Sequence, residues 1–229
     1  MYWQEEDDKV HPPQVPDEVV DVNFKVACRA LPLDHAHALS EAVLAVLPWL
    51  HDEPLAAVHL IHGAESGNGW LRPEDPDALL YPSRRTRFTL RVPRHRVAQV
   101  QELAGHTLDV GGYPLTLREP HVRELSPLTT VFSRHVVSDQ EHEAAFLDAM
   151  AAQLREGLDI RVRKMVAGRA HHHRFPEGTV RTRSLMIDGL RVEESVRLQQ
   201  HGLGPGRLQG FGIFLPHKAV GGSRPDSGK

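Results

Sequence analysis

The spacing of apolar residues in the first half of the chain predicts alternating strands and helices. Apolar and polar side chains alternate over residues 21–29, which is typical of a strand with one buried face. Apolar residues then recur at helical spacing and predict a helix that begins at its N-cap, Asp34, and ends before Pro48. Further elements are predicted at 56–62 (strand), 86–92 (strand), 94–104 (helix) and 107–118 (strand). The order of elements is therefore βαββαβ.

The second half of the chain repeats this order of elements without repeating the sequence. Its predicted elements are 129–137 (strand), 140–156 (helix), 159–166 (strand), 179–188 (strand), 193–200 (helix) and 211–216 (strand). We therefore predict an α+β fold of two tandem ferredoxin-like, or RRM-like, domains over residues 21–126 and 127–216. Residues 1–20 and 217–229 are predicted to be flexible, because they are acidic or rich in Gly and Ser.

Composition excludes several classes of protein. The 229 residues are 40% hydrophobic and 25% charged, which is typical of a globular chain. No apolar run approaches the roughly 18 residues that span a membrane, and the acidic start does not resemble a secretory signal. Cys28 is the single cysteine, so neither an internal disulfide nor a zinc site of paired cysteines can form. We expect a protein of the reducing cytoplasm.

Basic residues are concentrated in the second half of the chain. Residues 1–150 carry 13 basic and 23 acidic side chains, whereas residues 151–229 carry 14 and 7. The basic excess peaks in one segment, whose cations are Arg161, Arg163, Lys164, Arg169, Arg174, Arg181 and Arg183. Because arginine binds phosphate through two parallel hydrogen bonds and stacks on bases, the segment predicts a polyanion-binding site. The alternative is a solvated strand face with scattered charge.

A glycine-rich segment precedes the last predicted strand. Its glycines are Gly202, Gly204, Gly206, Gly210 and Gly212. A helix precedes these glycines and a strand follows them, which is the reverse of a dinucleotide-binding loop, and no Lys-Ser or Lys-Thr pair marks a P-loop. A simple connector needs one or two glycines, so we predict that this loop contacts a phosphate-bearing ligand. Arg207 would add charge to that contact.

Two groups among the 16 histidines are candidates for chemistry. His171–His173 suggest a metal site, but consecutive strand residues point to opposite faces and no cysteine lies nearby, so we predict no metal. Contact with RNA and a plain exposed loop both remain open for them. His51 follows the end of the first helix, where the negative end of the helix dipole stabilises a protonated imidazole. It is a candidate general acid or base, although composition alone leaves it an ordinary surface histidine.

Two motifs in the chain are similar to motifs of one known family. The first is the run Leu-Pro-Leu-Asp-His at 31–35, an apolar helix and then Leu50-His51. The second is GLGPGRLQGFGIFLP at 202–216, which is similar to the family's glycine-rich loop before its last strand. On these motifs the chain resembles the CRISPR-associated endoribonucleases that process precursor CRISPR RNA, which are members of the RAMP superfamily.

This resemblance implies a metal-independent endoribonuclease without cofactors. Such enzymes cut a repeat RNA on the 3′ side of a hairpin: the ribose 2′-hydroxyl attacks the adjacent phosphate and leaves a 2′,3′-cyclic phosphate and a 5′-hydroxyl. His51 would be the general acid or base. The family often has a tyrosine in the first helix, where this chain has Leu44. Ser40, Arg29 and Arg207 are then the alternative candidates for the second catalytic group.

The resemblance also implies an RNA-binding surface and partners. The glycine-rich loop would hold the RNA backbone, and the segment from Arg161 to Arg183, with His172, would grip the RNA hairpin by its shape and phosphates. Family members commonly stay bound to the 3′ hairpin of the mature CRISPR RNA and join other subunits of a type I interference complex in antiviral defence. Two alternatives remain: a non-catalytic RNA-binding subunit of the same superfamily, and a metal-dependent hydrolase that uses the histidine cluster.

Overall fold

Each half of the chain forms one main antiparallel sheet in the computed structural model, which describes residues 18–63, 75 and 77–217. The strands and helices of the first half are β1 (Val19–Ala27), β2 (Leu31–Pro32), α1 (Ala36–Val46), β3 (Ala57–Val58), β4 (Leu79–Leu80), β5 (Arg87–Pro93), α2 (Val97–Gln101), β6 (Thr107–Val110) and β7 (Tyr113–Glu124). Short 3₁₀ helices lie at Pro48–Asp52 and Arg94–Arg96. The first sheet has the order β3-β5-β1-β7-β6, and β2 pairs separately with β4.

The second half has fewer and longer elements. They are β8 (Val131–Val137), α3 (Glu143–Leu158), β9 (Lys164–Phe175), β10 (Gly178–Asp188), α4 (Val192–His201) and β11 (Leu215–Pro216), with a 3₁₀ helix at Arg207–Gln209. The second sheet has the order β11-β8-β10-β9. In both sheets the first strand of the βαββαβ unit lies between the third and the fourth strands, and the second strand lies beside the third. The predicted α+β fold of two tandem ferredoxin-like units is therefore confirmed.

The predicted domain boundary near residue 126 falls in the segment 125–130, between β7 and β8. We refer to the two halves of the chain as the first and the second domain; that each of them folds separately stays a prediction. Of the segments predicted to be flexible, residues 1–17 and 218–229 lie outside the described residues. Val19 and Val20 instead belong to β1 and are buried.

Four predicted elements differ markedly from the observed ones. The strand predicted over 56–62 is confined to Ala57–Val58. The strand predicted over 107–118 is a β-hairpin, because Gly111 and Gly112 both have positive φ, as the tight turn between two strands requires. The strand predicted over 159–166 begins instead at Lys164 and continues to Phe175, so the histidine-rich run lies inside a strand. The last strand is confined to residues 215–216, and residues 211–214 are buried without belonging to a strand.

Separate apolar cores lie in the two halves of the chain. In the first core, Val22 and Phe24 of β1 pack with Leu39 and Val43 of α1, as the two spacings predicted. In the second core, apolar residues of α3 pack against strand residues of the second sheet, a set that includes Phe146, Met150, Leu154, Leu185 and Ile187. None of the helices within the described residues combines the length and apolar character needed to cross a membrane.

Two arginines join the halves reciprocally. Arg91 of β5 is fully buried, and its Nη1 donates to the backbone carbonyls of Gln199, at 2.6 Å, and Phe214, at 3.1 Å. Arg207 of the second half donates to the carbonyls of Leu55, at 3.0 Å, and Ala56, at 3.3 Å, in the first half. These bonds set how the glycine-rich loop lies against the first domain.

Candidate functional site

His51 is exposed on a backbone that its neighbours hold in place. It lies in the 3₁₀ helix that directly follows α1. Leu50 is buried in the first core, and the guanidinium of Arg96 lies 4.7 Å from the centre of the Trp49 ring. Arg96 also donates to the carboxylate of Glu53 at 3.0 Å. The imidazole is therefore open to a ligand while the turn that carries it is anchored on both sides.

The glycine-rich loop, residues 202–212, closes on itself and packs against the first domain. The amide of Leu203 donates to the carbonyl of Gly212, and all five glycines have positive φ. A Cβ on Gly212 would lie 2.2 Å from the Leu203 oxygen, and one on Gly210 would lie 2.4 Å from Cγ of Leu60. The packing of the loop itself therefore explains these glycines, so their number is not evidence of ligand contact. Gly204 is exposed, and a Cβ there would lie at an ordinary contact distance of 3.8 Å from the Val137 carbonyl oxygen.

The loop lies near the segment that carries His51. Nη2 of Arg207 is 3.0 Å from the carbonyl oxygen of Leu55, four residues after His51. Four residues of extended chain span at most about 14 Å between Cα atoms. The Cα atom of His51 therefore lies no more than about 14 Å from that of Leu55, whose carbonyl binds the loop.

Arg207, which the sequence predicted to contact a ligand, instead contacts the backbone of the first half of the chain. Burial lowers its pKa to about 9, so the guanidinium stays charged at neutral pH. Its Nε and Nη2 atoms bind backbone carbonyls, and its Nη1 atom is buried without a hydrogen-bond partner among the described residues. It belongs to a charged cluster with Asp21, Arg91 and His59 between the domains. Its direct role in the structure is to join the loop to the first domain.

The other members of this cluster are also strongly coupled. Burial alone would raise the pKa of Asp21, but the charge and hydrogen bonds of Arg91, together with His59 and Arg123, hold that pKa below its ordinary value. Nε and Nη2 of Arg91 donate to the two carboxylate oxygens of Asp21 at 2.7 and 3.0 Å. Burial lowers the pKa of His59 to about 4, although the Asp21 carboxylate opposes that shift. His59 is therefore neutral at pH 7.

The basic β-hairpin, which we define as β9 and β10, gathers several of the predicted RNA-binding residues. His172 pairs with Arg181 across the two strands, so their side chains share one face. Strand alternation adds Arg174 and Arg183 to that face. His171 and His173 lie on the opposite face, as alternation requires. Arg161 and Arg163 precede the hairpin, and Lys164 and Arg169 lie in β9.

These cations divide into those with protein partners and those without. Arg181 and Arg183 donate to the carbonyl of Glu141 at 3.4 and 3.0 Å, and Lys164 is 3.0 Å from the carboxylate of Asp188. Arg174 binds Asp77. Within the described part of the chain, the exposed members that have no hydrogen bond or ion pair are Arg161, Arg163, Arg169 and His172. These side chains are the ones best placed to meet an anionic ligand.

A buried polar chain, which the sequence did not suggest, connects α1 to this hairpin. His35 occupies the N-cap of α1, so the N-cap prediction for Asp34 is wrong. The carboxylate of Asp34 instead lies 3.2 Å from Nδ1 of His173 and accepts from the backbone N–H of Arg174 at 2.8 Å. Nε2 of His173 lies 3.2 Å from Nδ1 of His135. In the part of the chain that the structure describes, no group of three or more His, Cys, Asp or Glu residues could hold a metal ion.

The candidates for a second catalytic group differ in how accessible their side chains are. Leu44, at the position that the resemblance assigns to tyrosine, is 8% exposed and packs in the first core. Ser40 is 1% exposed, and Arg207 is bound to backbone carbonyls. Arg29, directly after β1, is exposed. The interior position of Leu44 shows that α1 presents no side chain to solvent there.

Comparisons with known proteins agree with this architecture. The model of the Cas6 CRISPR family matches residues 20–219. A curated relative from Myxococcus xanthus (strain DK1622), a CRISPR-associated endonuclease Cas6, is 32% identical over 197 residues, which are 86% of this chain and 81% of the relative. The fold is similar to a solved CRISPR-associated protein Cas6, with a TM-score of 0.61 and 11% identity over 88% of this chain and 100% of that one. It is also similar to a solved RAMP protein that binds different RNA substrates, with a TM-score of 0.57 and 13% identity over 87% and 100%.

Tandem ferredoxin-like units with a glycine-rich loop before the last strand define the fold class of this protein, and it shares this fold with the solved RAMP protein. The structural likenesses establish this fold, and the sequence matches are more specific. The chain belongs to the Cas6 family of CRISPR-associated endoribonucleases.

Proposed function

We propose that this chain cuts precursor CRISPR RNA within its repeat and keeps the hairpin of the product bound. The family match and the curated endonuclease relative support the class of reaction. The observation that carries the proposal is the exposed imidazole of His51, in the 3₁₀ helix after α1 and four residues before the Leu55 carbonyl that the glycine-rich loop binds. The basic β-hairpin supplies the complementary charge for an RNA stem.

The chemistry needs only proton transfer and charge stabilisation. The ribose 2′-oxygen forms a bond to the adjacent phosphorus as the bond from phosphorus to the 5′-oxygen breaks. His51 either accepts the 2′-hydroxyl proton or donates a proton to the departing 5′-oxygen. Backbone N–H groups and cations near the phosphate stabilise the negative charge that develops on it. Because the nucleophile belongs to the RNA itself, no residue of the protein has to activate a water molecule.

The RNA stem lies along the exposed cations of the basic β-hairpin and the residues just before it. Arg161, Arg163 and Arg169 contact phosphates, since they are exposed and have no protein partner within the described ranges. The exposed part of the glycine-rich loop around Gly204 approaches the RNA backbone, while its buried part braces the loop. The retained product then recruits other subunits of a type I interference complex. Co-purification of this protein with the subunits encoded beside its gene tests this proposal.

Cleavage in the presence of EDTA tests the proposed reaction. A labelled repeat hairpin from the array nearest the gene should be cut once, and the upstream product should end in a 2′,3′-cyclic phosphate. The same RNA with a 2′-deoxyribose at the scissile position should bind equally well but remain intact, because its nucleophile is missing. Binding without cleavage would favour the non-catalytic RNA-binding subunit, and activity lost in EDTA would favour a metal-dependent hydrolase.

The combined change of Arg161, Arg163 and Arg169 to glutamine should weaken RNA binding and reduce its salt dependence. Each arginine that neutralises a phosphate displaces counterions, so the slope of log K against log salt should fall in magnitude by about 2–3. Fluorescence anisotropy at several salt concentrations measures both quantities. Arg155→Gln is the control, since Arg155 is exposed on α3 and already paired with the Glu156 carboxylate. An unchanged slope would place the RNA elsewhere.

A further inference from the structure

We propose that Asp34 and His173 are positioning residues that lock the basic β-hairpin onto the start of α1, the helix whose far end leads to His51. This inference rests on the proposed function, because it concerns how the RNA-binding element and the candidate catalytic imidazole are kept in register. Asp34 and His173 are 139 residues apart in the chain, and they come from different domains.

The contact is buried and uses both oxygens of one carboxylate. Oδ1 of Asp34 lies 3.2 Å from Nδ1 of His173, and Oδ2 accepts from the backbone N–H of Arg174 at 2.8 Å. The side chains of Asp34 and His173 are only 6% and 2% exposed. Hydrogen bonds to a carboxylate are stronger than those between neutral groups, and leaving such a group unpaired in the interior is costly. The contact therefore joins the two elements firmly.

The same histidine connects the hairpin to the glycine-rich loop. Its ring centre lies 4.8 Å from the ring of Phe211, and its Nε2 lies 3.2 Å from Nδ1 of His135. The carbonyl of His135 accepts from the amide of Gly212 at 2.6 Å. Three parts of the candidate site, namely α1, the loop and the hairpin, therefore meet at His173.

The lock involves one face of the hairpin. His172 and Arg181 lie on the face opposite His173, so the contact with Asp34 does not involve these two side chains. The helix α1 has 11 residues and is about 16 Å long; the lock precedes its first residue, and the 3₁₀ helix that carries His51 follows its last turn. Loss of the lock would leave the RNA contacts intact but let the hairpin move relative to His51. Misplacement of reacting groups by about 1 Å can cost roughly 100-fold in rate.

Asp34→Ala should therefore lower the single-turnover cleavage rate about 10–100-fold while the Kd for the repeat hairpin changes less than about threefold. Asp34→Asn should fall between, because its amide oxygen still accepts from Arg174 whereas its NH₂ group cannot accept from His173. Asp77→Asn is the matched control: its carboxylate also binds Arg174, at 3.0 Å, but its side chain is 80% exposed and binds the guanidinium rather than the backbone N–H. It should cleave at the wild-type rate.

A structural readout in the RNA-free protein separates the lock from the reaction. Hydrogen exchange of the Arg174 amide should accelerate in Asp34→Ala and stay unchanged in Asp77→Asn. His173→Gln combined with Asp34→Ala should cleave no more slowly than the slower single variant, because both changes remove one contact. If Asp34→Ala does not fold, Asp34→Asn carries the same test.

Wild-type cleavage by Asp34→Ala, or an equal loss of affinity and rate, would overturn the positioning role. An unchanged exchange rate of the Arg174 amide would overturn the lock itself. If the wild-type protein does not cleave the repeat at all, the proposed function fails, and the exchange measurement still decides whether the lock exists.

Discussion

Replacement of His51 by alanine will lower the single-turnover cleavage rate by about 100-fold or more, while RNA affinity stays within about threefold of wild type. General acid–base catalysis by one positioned side chain contributes roughly 10²–10⁴-fold, and the alanine removes it entirely. The side chain is exposed, so its loss should leave the melting temperature unchanged. Rapid-quench cleavage with enzyme in excess, together with binding to the 2′-deoxy repeat, measures the two effects separately.

Two further variants make the His51 result specific. His51→Gln keeps hydrogen bonding but cannot transfer a proton near neutral pH, so it should be as slow as the alanine variant. His95→Ala removes another exposed imidazole of the same neighbourhood, one that lies 3.4 Å from the Glu53 carboxylate, and should cleave normally. A His51→Ala protein that cuts at the wild-type rate would remove this residue from the mechanism and leave the family's reaction to another group.

Replacement of Arg91 by methionine will lower the free energy of unfolding by about 3–5 kcal/mol. The change leaves the Asp21 carboxylate buried without its partner, which is the expensive way to break a buried ion pair. It also removes the donor of the Gln199 and Phe214 carbonyls in the other domain. Chemical denaturation at pH 7 measures the loss.

The control for Arg91 lies on the same strand and the same face. Arg87 also donates to two backbone carbonyls, each at 2.9 Å, but it is exposed and its partners are local. Arg87→Met should cost less than about 1 kcal/mol, because water can replace its hydrogen bonds. Equal losses in the two variants would mean that the contact between the domains adds little to stability.

The loss of unfolding free energy caused by Arg91→Met should also become smaller as the pH falls. In the wild-type protein Arg91 holds the pKa of Asp21 below its ordinary value, so the pair stabilises the fold above that value and loses this contribution on acidification. In the variant, burial without the guanidinium raises the pKa of Asp21, so protonation relieves the buried charge. The difference in unfolding free energy between the wild-type protein and Arg91→Met should therefore be smaller near pH 4 than at pH 7.

Local patterns in the sequence were sufficient for the order of elements and for much of the core. Alternation over β1 and helical spacing over α1 depend only on neighbouring residues, and they predicted which faces are buried. The concentration of arginines between 161 and 183 predicted a basic element for the same reason. The turn at Gly111-Gly112 was also visible in the sequence as paired glycines, and it shows that the predicted interruption of a strand was a reversal of the chain.

Only the tertiary structure decided what those charged residues do. Arg207, predicted to face a ligand, binds Leu55 and Ala56 in the interior, and the buried Arg91 joins the domains. Asp34, predicted to cap its own helix, holds a histidine from the other domain. These contacts join residues more than 100 positions apart, and no local spacing encodes them. Whether a cation faces solvent or a distant carbonyl depends on how the two sheets pack, which is why the chemistry of the site required the folded chain.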